Sequence, residues 1–150
     1  MLTTPCHHPT TNARCDETVT DKRIKFDGSK TSTIYLSNPK RLQVEKVKVD
    51  GCFITSGKRC DWFARMLGNR AEEIFIELKS TRMNEAIEQL DESIKQISRD
   101  IKKSRKRCII VQTCNRVIET QRQKYASQFL SRFNAVLKFE RDGATVPLTP

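Results

Sequence analysis

The sequence predicts an α/β domain in which a mixed sheet is flanked by helices, and three observations carry this prediction. Strand-like runs follow one another within residues 44–79, separated by turns that contain glycine. A long amphipathic helix comes next, with apolar residues at steps of three and four between Met83 and Ile101. The run Cys108–Thr113 then has the continuous apolar character of a strand buried on both faces, which is typical of a parallel sheet.

The N-terminal part of the chain has weaker patterns. Residues 1–20 are rich in Thr, Pro, Asn and His and show no periodicity, which predicts a flexible arm. Residues 21–150 are then expected to form a single domain, since 150 residues suit one core. Lys22–Phe26 and Thr33–Leu36 predict two short strands around the turn at 27–30.

A meander of three strands follows. Val47–Ile54 reads as its first strand, and the turn residues 55–58 lead into a second strand over Arg59–Leu67. After a further turn at 68–70, the third strand is expected over Glu73–Lys79.

Helices and strands alternate in the second half. The stripe within 83–101 predicts one long helix, with acidic residues early and basic residues late, as the helix dipole favours. A second helix is expected over about 117–133 and a last strand over 135–139. The predicted order from the meander onward is β-β-β-α-β-α-β. The basic run Lys102–Arg107 indicates either a nuclear-localisation or phosphate-binding cluster, or a solvated helix end.

Charge and composition narrow the function classes. The chain carries 28 Lys and Arg against 18 Asp and Glu, a net charge of +10, which favours a polyanionic partner such as DNA, with RNA not excluded. No apolar stretch is long enough to span a membrane, and the first residues lack the features of a signal peptide. The expectation is therefore a cytoplasmic protein with no membrane partner.

Cysteine usage supports the same location. Without a secretory signal, the six cysteines are expected to be reduced thiols. Cys6, His7, His8 and Cys15 are residue types that zinc accepts, but their spacing fits no closed zinc module, so their role stays open.

Charged residues interrupt the third strand of the meander. Side-chain alternation places Glu77 and Lys79 on the same face as Phe75, whereas the aliphatic residues between them face the other way. Charges inside a sheet require compensation of their desolvation. A divalent cation that bridges to a phosphate would compensate the desolvation of the Glu77 carboxylate, and the phosphate itself would compensate that of the Lys79 ammonium. Asp61 opens the preceding strand and is expected to lie beside Glu77.

Asp61 followed by Glu77-Leu78-Lys79, embedded in β-β-β-α-β, resembles the PD-(D/E)xK nuclease superfamily over residues 44–114. The resemblance implies a restriction-endonuclease-like core in which Asp61 and Glu77 bind magnesium, for which manganese can substitute. The carbonyl of Leu78 would be a further metal ligand, and Lys79 would assist the attacking water. Magnesium suits such a site because it uses one or two carboxylates together with phosphate oxygens.

The chain departs from the superfamily in two respects. Cys60 stands where the named motif has proline, and residues 1–43 show no clear helix ahead of the first strand. Gln89 is a further candidate, since some members carry a glutamine on this helix, although a solvated helix flank would also suit it. Asp50 is the alternative metal ligand, in an Asp-Gly context that indicates a bend.

Basic residues near the meander are candidates for nucleic-acid contacts. We expect Lys46, Lys48, Lys58 and Arg59 to contact the phosphate backbone. Trp62, next to Asp61, is expected either to stack on a base or to belong to the core.

The sequence thus predicts a magnesium-dependent endonuclease that hydrolyses DNA phosphodiester bonds. A homodimer is expected, because two sites related by a two-fold axis would cut both strands. Two alternatives stay open. The first is a nucleic-acid-binding module without catalysis, and the second is a protein-interaction subunit that uses the apolar stripe at 83–101 as its partner surface.

Overall fold

The computed structural model of the protein describes residues 15–28, 32–68, 72–80, 82–112 and 119–148, with only the backbone for residues 79 and 80. Within these ranges the chain forms strands in two sheets and two helices. The strands are β1 (Asp16–Val19), β2 (Arg23–Asp27), β3 (Thr33–Ser37), β4 (Val44–Lys48), β5 (Trp62–Met66), β6 (Glu73–Ser80), β7 (Lys106–Gln112), β8 (Ala135–Arg141) and β9 (Thr145–Pro147), and the helices are α1 (Met83–Ile97) and α2 (Glu119–Phe133).

The larger sheet has the order β1-β4-β5-β6-β7-β8. Its pairings are antiparallel from β1 to β6 and parallel from β6 to β8. The predicted mixed sheet and the order β-β-β-α-β-α-β are therefore confirmed in β4 to β8. The smaller sheet has the order β2-β3-β9, so the two strands predicted around the turn at 27–30 are also confirmed.

Different layers cover the two faces of the larger sheet. Phe75 of β6 packs with Leu90 of α1 and Phe129 of α2, so both helices lie on one face. Ile76, which points the opposite way, packs with Phe26 of the smaller sheet. The prediction of a sheet flanked by helices is thus wrong for the second face, where a sheet takes their place because β2 and β3 each carry an alternating apolar row.

Helix α1 ends at Ile97 rather than at residue 101. Its apolar stripe is buried against the chain's own sheet, with Leu90 and Ile94 fully buried. The alternative that this stripe is a partner surface is therefore wrong for the residues within the helix. Among the described residues, neither helix combines the length and apolarity needed to cross a membrane.

The chain turns where the first meander strand was expected to continue. β4 ends at Lys48, and residues 49–54 form a tight turn in which the amide of Ile54 donates to the carbonyl of Val49 at 2.9 Å. Gly51 adopts a φ of 77° in this turn, a conformation that favours glycine. The strand predicted over 47–54 is wrong beyond Lys48 because local turn bonds replace the ladder.

A strand also forms within the predicted arm. β1 pairs antiparallel with β4 at the edge of the larger sheet, and Cys15 just before it forms a disulfide with Cys52. The flexible arm predicted over 1–20 is therefore wrong from residue 15 onward. The expectation of reduced thiols is wrong for this pair, whereas Cys60 and Cys108 are buried free thiols.

The disulfide also bears on the zinc-compatible residues. The sulfur of Cys15 is bonded to Cys52 and is not available as a zinc ligand. Cys6, His7 and His8 lie outside the described residues.

Two members of the basic run 102–107 are structural. The ammonium of Lys106 is buried and donates to the carbonyls of Asp100, Ser104 and Phe133, each at 2.8 Å. Arg107 is likewise buried. The run is therefore not a continuous phosphate-binding cluster.

Glu73 at the start of β6 binds the chain that follows α1. Its carboxylate accepts hydrogen bonds from the hydroxyls of Ser98 and Ser104, both at 2.7 Å, and from the amide of Arg99 at 2.8 Å. The negative charge also raises the pKa of the buried Lys106 amine, opposing the larger lowering by desolvation. The side chain thus locks the end of the helix to the sheet.

We expect Glu73→Gln to lower the free energy of unfolding by about 2 kcal/mol, because the amide weakens charge-assisted hydrogen bonds and leaves Lys106 less compensated. Denaturant unfolding followed by circular dichroism measures the change. Glu17→Gln, at an exposed position of β1, is the control and should have little effect. Equal stability of the two variants would contradict the role of Glu73.

Candidate active site

Two acidic side chains meet at one end of the central strands. The pairing of Trp62 with Ile76 carries Asp61, just before β5, to the position beside Glu77 of β6. β6 lies between β5 and β7, so Glu77 is not a charge on an exposed sheet edge. Both residues have the side-chain parity of Phe75, and they therefore lie on the face that the helices cover.

The pairing of β5 with β6 brings the two carboxyl groups close enough for the charge of Asp61 to raise the pKa of Glu77. Oδ2 of Asp61 accepts the amide of Leu78 at 2.7 Å. Glu77 is 6 % exposed. Its Oε1 is buried and has no hydrogen-bond partner among the described residues. Buried polar atoms are almost always hydrogen-bonded in folded proteins, so this oxygen is a candidate ligand position.

Burial dominates the acidity of the pair. Desolvation raises the pKa of Glu77 to about 9, with further contributions from the nearby charges of Asp61 and Asp50. Desolvation also raises the pKa of Asp61 to about 6, and the hydrogen bond from the amide of Leu78 partly opposes this. Without a cation, Glu77 is therefore the protonated member of the pair at neutral pH.

Helix α1 holds both acids in place. With its side-chain amide oriented so that the nitrogen faces both acceptors, Gln89 donates to Oε2 of Glu77 at 2.7 Å and to the carbonyl of Glu85 at 3.3 Å. One turn later, the buried hydroxyl of Ser93 accepts the amide of Cys60 at 2.7 Å, directly before Asp61. Sequence reasoning found Gln89 and missed Ser93, although the spacing i, i+4 places both on one helix face.

A cleft of about 210 Å³ opens beside Asp61. It is lined by Asp27, Gly28, Lys48, Asp50, Asp61 and Trp62. Trp62 packs edge-on against Phe26, with ring centroids 5.7 Å apart, and donates its indole N–H to the carbonyl of Asp27 at 2.9 Å. Trp62 therefore forms a wall of the cleft and is partly core.

Three of the four residues predicted to contact nucleic acid make hydrogen bonds or ion pairs within the protein. Lys46 donates to the carbonyl of Lys25 and lies over the ring of Trp62 at 4.8 Å. Lys58 forms an ion pair with Glu88 at 2.6 Å. Arg59 likewise forms an ion pair, with Asp50 as its partner.

That ion pair joins Arg59 to Asp50 at 2.7 Å. Of the four predicted residues, Lys48 alone lines the cleft, where its charge lowers the pKa of Asp61. Asp50 lies in the turn after β4 and faces the same cleft, close enough to raise the pKa values of both acids.

The remaining predicted residues lie in β6. Leu78 buries its side chain on the opposite face and offers its amide to Asp61. Lys79 continues the strand, and its side chain lies outside the described residues. Among the described residues, no group of three or more His, Cys, Asp or Glu side chains could hold a metal ion. A cation here would therefore have two carboxylate ligands and depend on backbone, water or substrate oxygens for the rest.

No protein-family model, curated protein or solved structure matches the chain. The class that the fold defines is an α/β protein with a mixed sheet and two described helices.

Proposed function

We propose that the protein is a metal-dependent nuclease that hydrolyses phosphodiester bonds in DNA, on a restriction-endonuclease-like core. The observation that carries this proposal is the position of Asp61 beside the buried carboxyl group of Glu77, whose Oε1 has no hydrogen-bond partner among the described residues. A buried carboxyl group beside a second carboxyl group lowers the stability of a fold, because of desolvation and like-charge repulsion. Such a pair therefore indicates a function that requires it. Perturbed acids that meet beside a cleft are typical of a functional site.

The residues fit a magnesium ion. Asp61 and Glu77 would hold it, with the carbonyl of Leu78 as a further proposed ligand, and Asp50 is the alternative carboxylate at the same cleft. Two carboxylates are enough for magnesium, which commonly keeps water and phosphate oxygens as its other ligands, and manganese is expected to substitute. When bound, such an ion supplies Lewis acidity and a water of lowered pKa.

The chain's own residues have separable tasks in this proposal. Gln89 fixes the orientation of Glu77 through its 2.7 Å hydrogen bond. The amide of Leu78 fixes Asp61. Lys48 lies in the cleft, where its positive charge attracts a phosphate group. Lys79 is proposed to orient the attacking water and to offset the charge that develops on the phosphate.

The partner and its geometry are proposals as well. The net charge of +10 supports a polyanion, and DNA is preferred to RNA as in the sequence-based prediction. A homodimer would place two such sites on the two strands of a duplex. A nucleic-acid-binding module without catalysis is the competing proposal, and the cleavage experiment below separates the two.

The cytoplasmic location stays a prediction, and one observation weighs against it. Disulfides such as Cys15–Cys52 persist mainly in oxidising compartments, whereas cytosolic thiols are kept reduced. A thiol-labelling experiment on protein taken from its native compartment would decide between the two.

We expect the affinity for Mn²⁺ to rise by up to about tenfold per pH unit between pH 6 and pH 8. The reason is that the cation must displace the proton that burial and Asp61 hold on Glu77, whose pKa is raised to about 9. Calorimetry in two buffers of different ionisation enthalpy measures both the affinity and the released proton. An affinity that is independent of pH would contradict the shared site.

Cleavage of supercoiled plasmid tests the activity itself. We expect magnesium-dependent nicking that falls by about a hundredfold or more in Asp61→Asn, which removes a proposed metal ligand, and in Lys79→Met, which removes a positive charge at the reacting phosphate. Asp100→Asn is the matched control, because Asp100 lies in the turn after α1, where its carboxylate accepts the amides of Lys102 and Lys103. Retardation of DNA in gels without cleavage, with or without magnesium, would favour the binding module.

A further inference from the structure

A second cavity lies on the face of the larger sheet opposite Glu77. Its volume is about 240 Å³, and it lies between β7 and β8 of the larger sheet and β9 of the smaller one. Its lining consists of Glu72, Arg105, Arg107, Ile109, Val136, Lys138, Val146 and Pro147. Val136 of β8 is 45 % exposed, so the smaller sheet leaves this part of the face open.

The walls are apolar and the rim is cationic. Ile109, Val136 and Val146 contribute aliphatic surface from three different strands. Arg105 and Lys138 are both exposed and have no ion-pair partner within the described part of the chain. Exposed cations beside uncovered apolar surface suit a ligand that has both an apolar part and a negatively charged group.

Arg107 adds a buried donor to this lining. It is 8 % exposed, and its guanidinium donates to Glu72 at 2.8 Å and to the carbonyls of Pro147 and Leu148. Its Nε is nevertheless buried with no hydrogen-bond partner in the described ranges. This Nε has almost no accessible surface, and the Arg107 charge is paired with Glu72, so Arg105 and Lys138 are the cations that remain for an anionic oxygen.

We propose that this cavity binds a small amphipathic carboxylate, with its apolar body against Ile109 and Val136 and its charged group near Arg105 and Lys138. The volume is below the roughly 300–1,000 Å³ of pockets for drug-sized molecules, so the ligand is of fragment size. The site is separate from the candidate active site, because Ile109 and Glu77 face opposite sides of the sheet. The proposal does not depend on nuclease activity.

The test titrates the full chain with naphthalene-2-carboxylate and with its neutral carboxamide, followed by NMR. We expect the carboxylate to bind at least about tenfold more tightly than the carboxamide, as a charge-assisted contact predicts. Val136→Asp should abolish binding, and Arg105→Gln should weaken it about tenfold while leaving the fold intact, since Arg105 is exposed. Leu130→Asp, at a residue of α2 that is 57 % exposed, is the matched control and should bind normally.

Three results would overturn the proposal. The first is no binding of the carboxylate at millimolar concentration. The second is equal binding of carboxylate and carboxamide, which would show a merely apolar groove. The third is a dimer in solution that Val136→Asp, but not Leu130→Asp, converts to a monomer, because a second copy would then be the occupant.

Discussion

Glu77→Gln is expected to stabilise the cation-free protein and to abolish cation-dependent cleavage. Glu77 is buried beside Asp61, and its pKa is raised from 4.5 to about 9. In the unfolded chain the group ionises near its ordinary value, so the unfolded state binds fewer protons than the native state between these pH values. The contribution of Glu77 to the free energy of unfolding is therefore fully present below about pH 4.5. It is lost as the pH rises toward 9, by up to about 1.4 kcal/mol per pH unit.

A glutamine at this position has no charge to desolvate. Its amide can donate to Asp61 while its oxygen accepts from Gln89, so both neighbours keep their contacts. At pH 8 without divalent cations, we expect a gain of roughly 2–4 kcal/mol in the free energy of unfolding over the wild type. Such a gain on removing a functional group is the usual relation between stability and activity at a site.

Addition of Mn²⁺ should make the wild type more stable than Glu77→Gln. The wild type gains stability from a ligand that binds only the native state, whereas Glu77→Gln has lost one ligand and gains little. Glu73→Gln is the matched control, because Glu73 lies on the same strand and the same face but has its oxygens satisfied, and it should destabilise at every pH. A Glu77→Gln protein that is less stable at pH 8, or that cleaves plasmid normally, would contradict the site.

Periodicity made much of the fold predictable. The alternation along β6 placed Phe75 and Glu77 on one face and Ile76 on the other, and the structure confirms this assignment. The stripe of α1 and the continuous apolar run of β7 were predictable for the same reason, since each pattern reflects which side of an element is buried. Proximity of Asp61 to Glu77 follows from antiparallel pairing across a short connection.

Features that depend on contacts between distant segments, or on hydrogen bonds within a turn, were not predictable from the sequence. Lys106 belongs to a run of basic residues that reads as surface, and only the fold places three carbonyls around its ammonium. The turn at 49–54 was hidden because Val49 and Ile54 are apolar and continue the strand pattern, although both belong to the core. The layer of β2, β3 and β9 requires a parallel pairing of distant segments, about which local patterns carry no information.

The disulfide is the other feature that the sequence could not supply, and its removal is expected to be costly. Cys15 and Cys52 are 37 residues apart, and a cross-link over such a loop restricts the unfolded chain by about 3–4 kcal/mol. We expect the single variants Cys15→Ser and Cys52→Ser and the double variant to lose the same amount, because each removes the same bond. Thermal or denaturant unfolding measures all three.

Loss of this bond should also weaken the candidate metal site. Cys52 lies in the turn that carries Asp50, and the amide of Val49 in the same turn donates to the carbonyl of Asp61 at 3.0 Å. The carbonyl of Cys15 accepts the amide of Lys48 at 2.8 Å, so the cross-link also holds the residue that lines the cleft. We therefore expect weaker Mn²⁺ binding in the Cys52→Ser variant at pH 7.5, measured by calorimetry.

Two comparisons separate this effect from general destabilisation. Glu73→Gln destabilises the opposite end of β6, so its Mn²⁺ affinity should match that of the wild type at a temperature where both are folded. Reduction of the wild type with a phosphine should lower its Mn²⁺ affinity to the level of Cys52→Ser, while the variant itself should not respond. Unequal losses in the two single variants, or unchanged affinity in Cys52→Ser, would show that the cross-link does not support the turn beside Asp61.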